Sequence, residues 1–199
     1  MLRLSMLTAT AALLFCGTPA YAADEPDKLT IMSDEQYQEM LDRHELRPAP
    51  AHSTPRTTDS TVAAAGPSWA AVKFNSKDKS GRVVPTRAGN SALGWKHFSG
   101  RHNITDPDVI KQIINNTGSP TKNKEQPNRL VYDGALVKTS SNPFVLPRKI
   151  ANIRIIVQYH WRTADKQYSL TDKKAKIGVI TAYCRNVARN RCPDGVNQT

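Results

Sequence analysis

The feature that most limits how this chain can fold lies between residues 105 and 183, where one short, sharply bounded helix is followed only by strand patterns. Thr105 or Asp106 caps the helix, Pro107 takes its first position, and Gly118 stops it. Val109, Ile110, Ile113 and Ile114 form an apolar face that must be buried against a partner. A polar loop over 119–128, holding Pro120 and Pro127, leads to that partner. Residues 129–132 and 135–138 flank Asp133-Gly134, which predicts a two-residue hairpin turn. Residues 150–161 are rich in β-branched and aromatic side chains, and 176–183 form the last long strand. Helices first and antiparallel strands afterwards predict an α+β fold, with N-terminal helices packed on a roughly four-stranded antiparallel sheet.

The N-terminal part reads differently. Arg3, an apolar run over 7–16 and the small-x-small site Ala20-Tyr21-Ala22 predict an export signal, cleaved after Ala22. An apolar run of about ten residues is too short to span a bilayer, which takes roughly 20. The expectation is a secreted protein, periplasmic or extracellular, with no membrane span. Cleavage removes Cys16 and leaves Cys184 and Cys192, which in an exported chain predict one disulfide. So small a closed loop is worth roughly 2.5 kcal/mol by chain entropy. The pair lacks the CxxC form and the second ligand pair that a zinc site needs.

Charge divides the chain further. Residues 23–67 carry nine acids and four bases, whereas 68–199 carry 23 Lys and Arg against eight Asp and Glu. The first stretch can form one amphipathic helix, with Ser33 as N-cap, Gln36 at the capping-box position, and Tyr37, Met40, Leu41 and His44 at helical spacing. Pro48, Pro50, Pro55 and Pro67 mark 48–67 as a linker. The expected organisation is a signal over 1–22, an acidic segment and linker over 23–67, and a basic domain over 68–199. The acidic segment is either a solvated spacer or a shield for the basic domain in cis. A domain so basic attracts polyanions, although a basic surface also serves solubility or wall retention. Its eight acids form no ligand-like cluster, so neither metal nor cofactor is expected.

Residue types suited to chemistry concentrate in Gly94-Trp95-Lys96-His97-Phe98-Ser99-Gly100-Arg101-His102. Residues 94–99 read as helix, ended or bent at Gly100, after a packed start at Trp69, Val72 and Phe74 and a polar turn over 75–82. Trp95, Phe98 and His102 then share one face, and His97 and Arg101 another. RNA carries its own nucleophile, the ribose 2′-OH, so cleavage needs a base, an acid and positive charge for the phosphorane. Histidine suits the proton transfers, and lysine or arginine the charge. Thr181 and Tyr183, two apart on the last strand, point to one face and can hold a phosphate or orient a base. Each has a plainer reading: His102 as a core histidine, Lys96 and Arg101 as solvated charges, Thr181 and Tyr183 as ordinary strand residues. His160 and Trp161 read as packing at a strand end.

These two stretches, Gly-Trp-Lys-His-Phe-x-x-Arg-His and Val179-Ile180-Thr181-Ala182-Tyr183, resemble the barnase, EndoU, colicin and RelE group of ribonucleases, common as bacterial toxin domains. The resemblance covers about residues 90–184. It implies a helical part on a four-stranded antiparallel sheet and metal-independent cleavage of RNA, tRNA included, to a 2′,3′-cyclic phosphate. His97 and His102 match the motif histidines, Lys96 and Arg101 its basic partners, and Thr181 and Tyr183 the last-strand hydroxyls. It further implies a small acidic immunity or inhibitor protein as partner; a monomer is expected. The chain departs from the group in being short with its own signal, and in running from the last strand into Cys184. The alternative is a non-catalytic secreted cationic protein that holds nucleic acid or another polyanion, with strongly salt-dependent binding.

Overall fold

The computed structural model describes residues 27–46, 68–126, 128–142 and 144–199, with side chains for all but 44–46. The expected signal, Cys16, and the linker with His52 lie outside the described residues.

The fold is α+β. Its main sheet is antiparallel throughout and joins β1 (Lys28–Ser33), β5 (Arg129–Thr139), β6 (Arg148–Gln158) and β7 (Gly178–Arg185) in that spatial order. A two-residue strand, β4 (Thr121–Lys122), extends the β1 side by pairing with Leu130 and Val131 of β5. Before the helices, β2 (Val72–Lys77) and β3 (Val83–Arg87) form a separate two-stranded sheet. The helices are α1 (Asp34–Leu46), α2 (Gly94–His102) and α3 (Pro107–Asn115).

Alternation along the strands produces two different sheet faces. Leu130, Tyr132 and Leu136 of β5, Ile153, Ile155 and Val157 of β6, and Ala182 and Cys184 of β7 are buried in one core with Val109, Ile110, Ile113 and Ile114 of α3 and Phe98 of α2. Helix α3 forms as its local signals dictate: Asp106 caps it by accepting the Asp108 N–H at 2.9 Å, and Pro107 opens it. On the opposite face, Met32, Ala135 and Val137 pack with Tyr37 and Met40 of α1. That helix covers only one end of the face. Asp133, Val131 and Arg129 of β5, with Arg154 and Ile156 of β6, continue the face beyond it and are only partly buried.

The small sheet is clamped to the main one by Arg87, which is 8% exposed. Its guanidinium donates to the carbonyls of Lys176 (2.7 Å from Nη2), Ile177 and Ala70, so the buried charge is met by backbone dipoles. At the same junction Gly178 has φ +85°, and a Cβ there would lie 1.8 Å from the Pro85 carbonyl oxygen.

Three readings of the sequence are corrected. Asp133-Gly134 is no turn, because β5 runs unbroken from Arg129 to Thr139 and the two residues pair with Arg154 and Ile153. Glycine is needed there for close approach: a Cβ at 134 would meet Met32 O at 2.6 Å and Ile113 Cγ1 at 2.7 Å. The acidic segment is not separate from the basic domain, since β1 pairs with β5 from Lys28↔Thr139 to Ser33↔Gly134 and buries Ile31 and Met32. The capping box is present: Gln36 N donates to Ser33 Oγ at 3.2 Å and Ser33 N to Gln36 Oε1 at 3.0 Å. Finally, α2 passes through Gly100 and ends at Asn103, whose φ of 59° is left-handed.

Candidate functional site

Helix α2 lies against β7, and its last turn brings His102 beside Tyr183 of that strand. Phe98 and His102, one turn apart, both face inward; Phe98 is fully buried and His102 is 6% exposed. His97 is half-buried, and its ring stands 5.3 Å from that of His102, nearly perpendicular to it. The His102 ring is 5.7 Å from the Tyr183 ring. Two imidazoles and a phenol thus converge from segments about eighty residues apart in sequence.

Each imidazole is fixed by a backbone carbonyl. His97 Nδ1 lies 2.7 Å from Ser91 O, and His102 Nδ1 lies 3.1 Å from Asn190 O. A carbonyl can only accept, so when neutral each ring carries its proton on Nδ1 and leaves Nε2 as the basic nitrogen. Burial holds the His102 pKa below the ordinary histidine value, and the charges of His97 and Arg101 lower it further. The Asn190 carbonyl partly opposes both effects.

The Asn190 carbonyl belongs to the loop closed by the Cys184–Cys192 disulfide, whose Cα atoms are 5.0 Å apart. Cys192 N donates to His102 O at 2.9 Å, so the loop grips the histidine by backbone and by ring. The two cysteines are therefore part of the site's support.

Tyr183 has cross-strand neighbours that the sequence does not announce. In register, Tyr183 pairs with Arg154 and Arg154 with Asp133. Arg154 donates two parallel bonds to the Asp133 carboxylate, Nε to Oδ1 at 2.7 Å and Nη2 to Oδ2 at 2.8 Å. The Arg154 pKa is raised, chiefly by Asp133 and in smaller part by the Tyr183 hydroxyl. Thr181 sits opposite Ile156, one step along the same face, and its buried Oγ1 has no partner.

No family model, no curated protein and no solved structure matches this chain.

Of the residues singled out in the sequence, His97, His102 and Tyr183 come together, and Thr181 lies on the adjoining face. Lys96 and Arg101 are exposed, and their side chains form no ion pair with a described acid. Arg101 shares the helix face of His97, four positions on. Lys96 points from a different side of α2, so it reaches the same ligand only from the rim. Among the described residues no three of His, Cys, Asp and Glu group as metal ligands, and no helix is long and apolar enough to cross a membrane. Sequence reasoning missed Arg154, although one signal marked it. It is the single charge within 150–158, alternating with Ile153, Ile155 and Val157 and so aimed at the opposite face.

Proposed function

We propose that this chain is an exported ribonuclease that cleaves RNA by attack of the ribose 2′-OH on the adjacent phosphorus. The observation that carries the reading is the convergence of His97, His102 and Tyr183, with two imidazoles whose Nδ1 atoms are tied to carbonyls. Burial keeps His102 neutral at neutral pH, so its Nε2 takes the 2′-OH proton. His97, closer to solvent, gives a proton to the leaving 5′-oxygen. The O2′–P bond forms and the P–O5′ bond breaks, leaving a 2′,3′-cyclic phosphate and a 5′-hydroxyl. Arg154, oriented by Asp133, and the hydroxyls of Tyr183 and Thr181 hold the phosphate, while Arg101 and Lys96 add positive charge at its rim. The surplus of 15 positive charges over 68–199 draws RNA to the domain.

A secreted enzyme of this kind, used against other cells, requires an inhibitor in its producer, and a small acidic protein suits so basic a surface. The competing reading, a cationic binder of polyanions, draws on the same surplus charge. Incubating the full chain, disulfide intact, with total RNA in EDTA separates the two. The nuclease reading expects fragments ending in 2′,3′-cyclic phosphate. Salt-sensitive binding with no fragments at any enzyme concentration overturns it in favour of the binder.

A further inference from the structure

At the far end of the same sheet face lies a polar pocket of about 300 Å³, lined by Gln126, Asn128, Gln158, His160, Arg162 and Lys166 among others. Gln158 ends β6 on the face that carries Ile156 and Arg154. It stands four residues from Arg154, about 13 Å at the rise of a strand. A single RNA strand crossing the sheet at Tyr183 spans that distance. The pocket thus lies along the sheet face of Arg154, whose cross-strand partner Tyr183 stands beside His102.

The pocket's chemistry is unusual in what it leaves unmet. Gln158 is 2% exposed, and its Oε1 has no hydrogen-bond partner. The Oε1 of Gln126 is likewise buried and unpartnered. Directly across the strand pair from Gln158, Arg129 Nε is a third buried atom without a partner. Three of the six such atoms among the described residues thus fall at one corner of the fold. Orphaned buried polar groups are costly and rare, and the two glutamine oxygens belong to residues that line the cavity, which points to a ligand that completes them.

The two acceptors at the lining also define what that ligand must offer. An apolar molecule would satisfy neither of them. Inorganic phosphate, rich in acceptors, would be opposed by both glutamine oxygens. A nucleobase edge presents N–H donors, which match both glutamine oxygens. The His160 ring, itself 5.6 Å from the Trp161 ring, supplies a surface on which a base can stack. Arg162 and Lys166 place positive charge at the lining, against a single carboxylate there, Glu125.

We infer that this pocket is a nucleobase-recognition subsite, in which Gln158 and Gln126 read the donor edge of one base of the RNA chain. The assignment rests on the ribonuclease reading for its substrate and adds the source of base preference. His160, assigned to packing from the sequence, lines the subsite instead.

Calorimetric titration of the full chain, disulfide intact, with the four 3′-nucleoside monophosphates and with inorganic phosphate tests it. The expected result is one preferred base, bound more tightly than phosphate alone. Gln158→Leu, which keeps the volume and removes the unpaired amide, should weaken that nucleotide at least tenfold and flatten the preference among bases. Lys166→Asn keeps a residue suited to the left-handed turn at φ 63° and removes a charge; it should weaken all four nucleotides alike by a smaller factor. Equal affinity for phosphate and nucleotides in the wild type, or an unchanged base preference in Gln158→Leu, overturns the assignment. If Gln158→Leu does not fold, Lys166→Asn decides: nucleotide affinity equal to wild type removes the pocket as the binding place. Because these are binding measurements, the two readings fail separately. A wild type that binds nucleotide through Gln158 yet never cuts RNA keeps the pocket and loses the ribonuclease. One that cuts RNA while Gln158→Leu changes neither affinity nor base preference does the reverse.

Discussion

Replacing both cysteines, as Cys184→Ala/Cys192→Ala, should weaken the fold by a moderate amount and catalysis by more than that amount explains. The bridge joins residues eight positions apart, and chain entropy gives about 2.5 kcal/mol for so small a loop. For a domain of this size that is a fall of roughly 5–10 °C in the thermal midpoint. The catalytic effect has a separate origin. Within the loop, Asn186, Arg189 and Asn190 all hold left-handed backbone, with φ of 59°, 55° and 53°. Arg189 in particular gains nothing from that conformation, which costs a non-glycine residue about 1 kcal/mol. Released from the bridge, these residues relax, and the Asn190 carbonyl leaves His102 Nδ1. The proton is then no longer fixed on that nitrogen, and Nε2 is the basic atom only part of the time. RNA cleavage should fall at least tenfold at a temperature where urea titration shows the variant still folded. A variant that loses about 2.5 kcal/mol and still cuts RNA at the wild-type rate would refute the idea that the loop sets the His102 ring.

Three further outcomes follow from the fold. Gly134→Ala forces a Cβ against Met32 O and Ile113 and should cost about 1–3 kcal/mol in urea unfolding, whereas a glycine in an open turn would tolerate the change. Starting the chain at residue 68 removes β1 and α1, exposes the edge of β5 and uncovers Ala135 and Val137; gel filtration should show self-association, and a stable monomer would contradict the pairing of β1. Burial lowers the His102 pKa in the folded state, so its neutral form is the one the fold favours. Its contribution is complete above the unfolded value of about 6.5 and declines as pH falls from there towards the folded value. Urea midpoints should drop more steeply between pH 7.5 and 5 in the wild type than in His102→Gln.

The parts of this fold legible in the sequence are those set by neighbours in the chain. Asp106, Pro107 and the isoleucines of α3 act within a few residues of one another, as do Ser33 and Gln36 at the start of α1. Strand β1 was not legible, because KLTIMS lies in an acidic stretch and is a strand only through pairing with residues more than a hundred positions away. Asp133-Gly134 misled for the same reason: as a dipeptide it signals a turn, while in space the glycine makes room for Met32 and Ile113. The site divides along similar lines. Residue types named His97, His102, Thr181 and Tyr183, and the period of two placed the last two on one face. Arg154 enters the site through strand register, and Asn190 through a loop whose conformation the disulfide holds. The unpaired atoms of Gln126, Arg129 and Gln158 are a property of packing that composition does not carry.

The most direct test of the central claim is a single-turnover time course of RNA cleavage in EDTA by the wild type, His97→Ala and His102→Ala, each checked for its thermal midpoint. General acid–base catalysis by each imidazole predicts losses of about 100- to 10,000-fold in both variants, with RNA affinity little changed. Cleavage by His97→Ala and His102→Ala at the wild-type rate would contradict the account, because the paired histidines would then have no part in the chemistry.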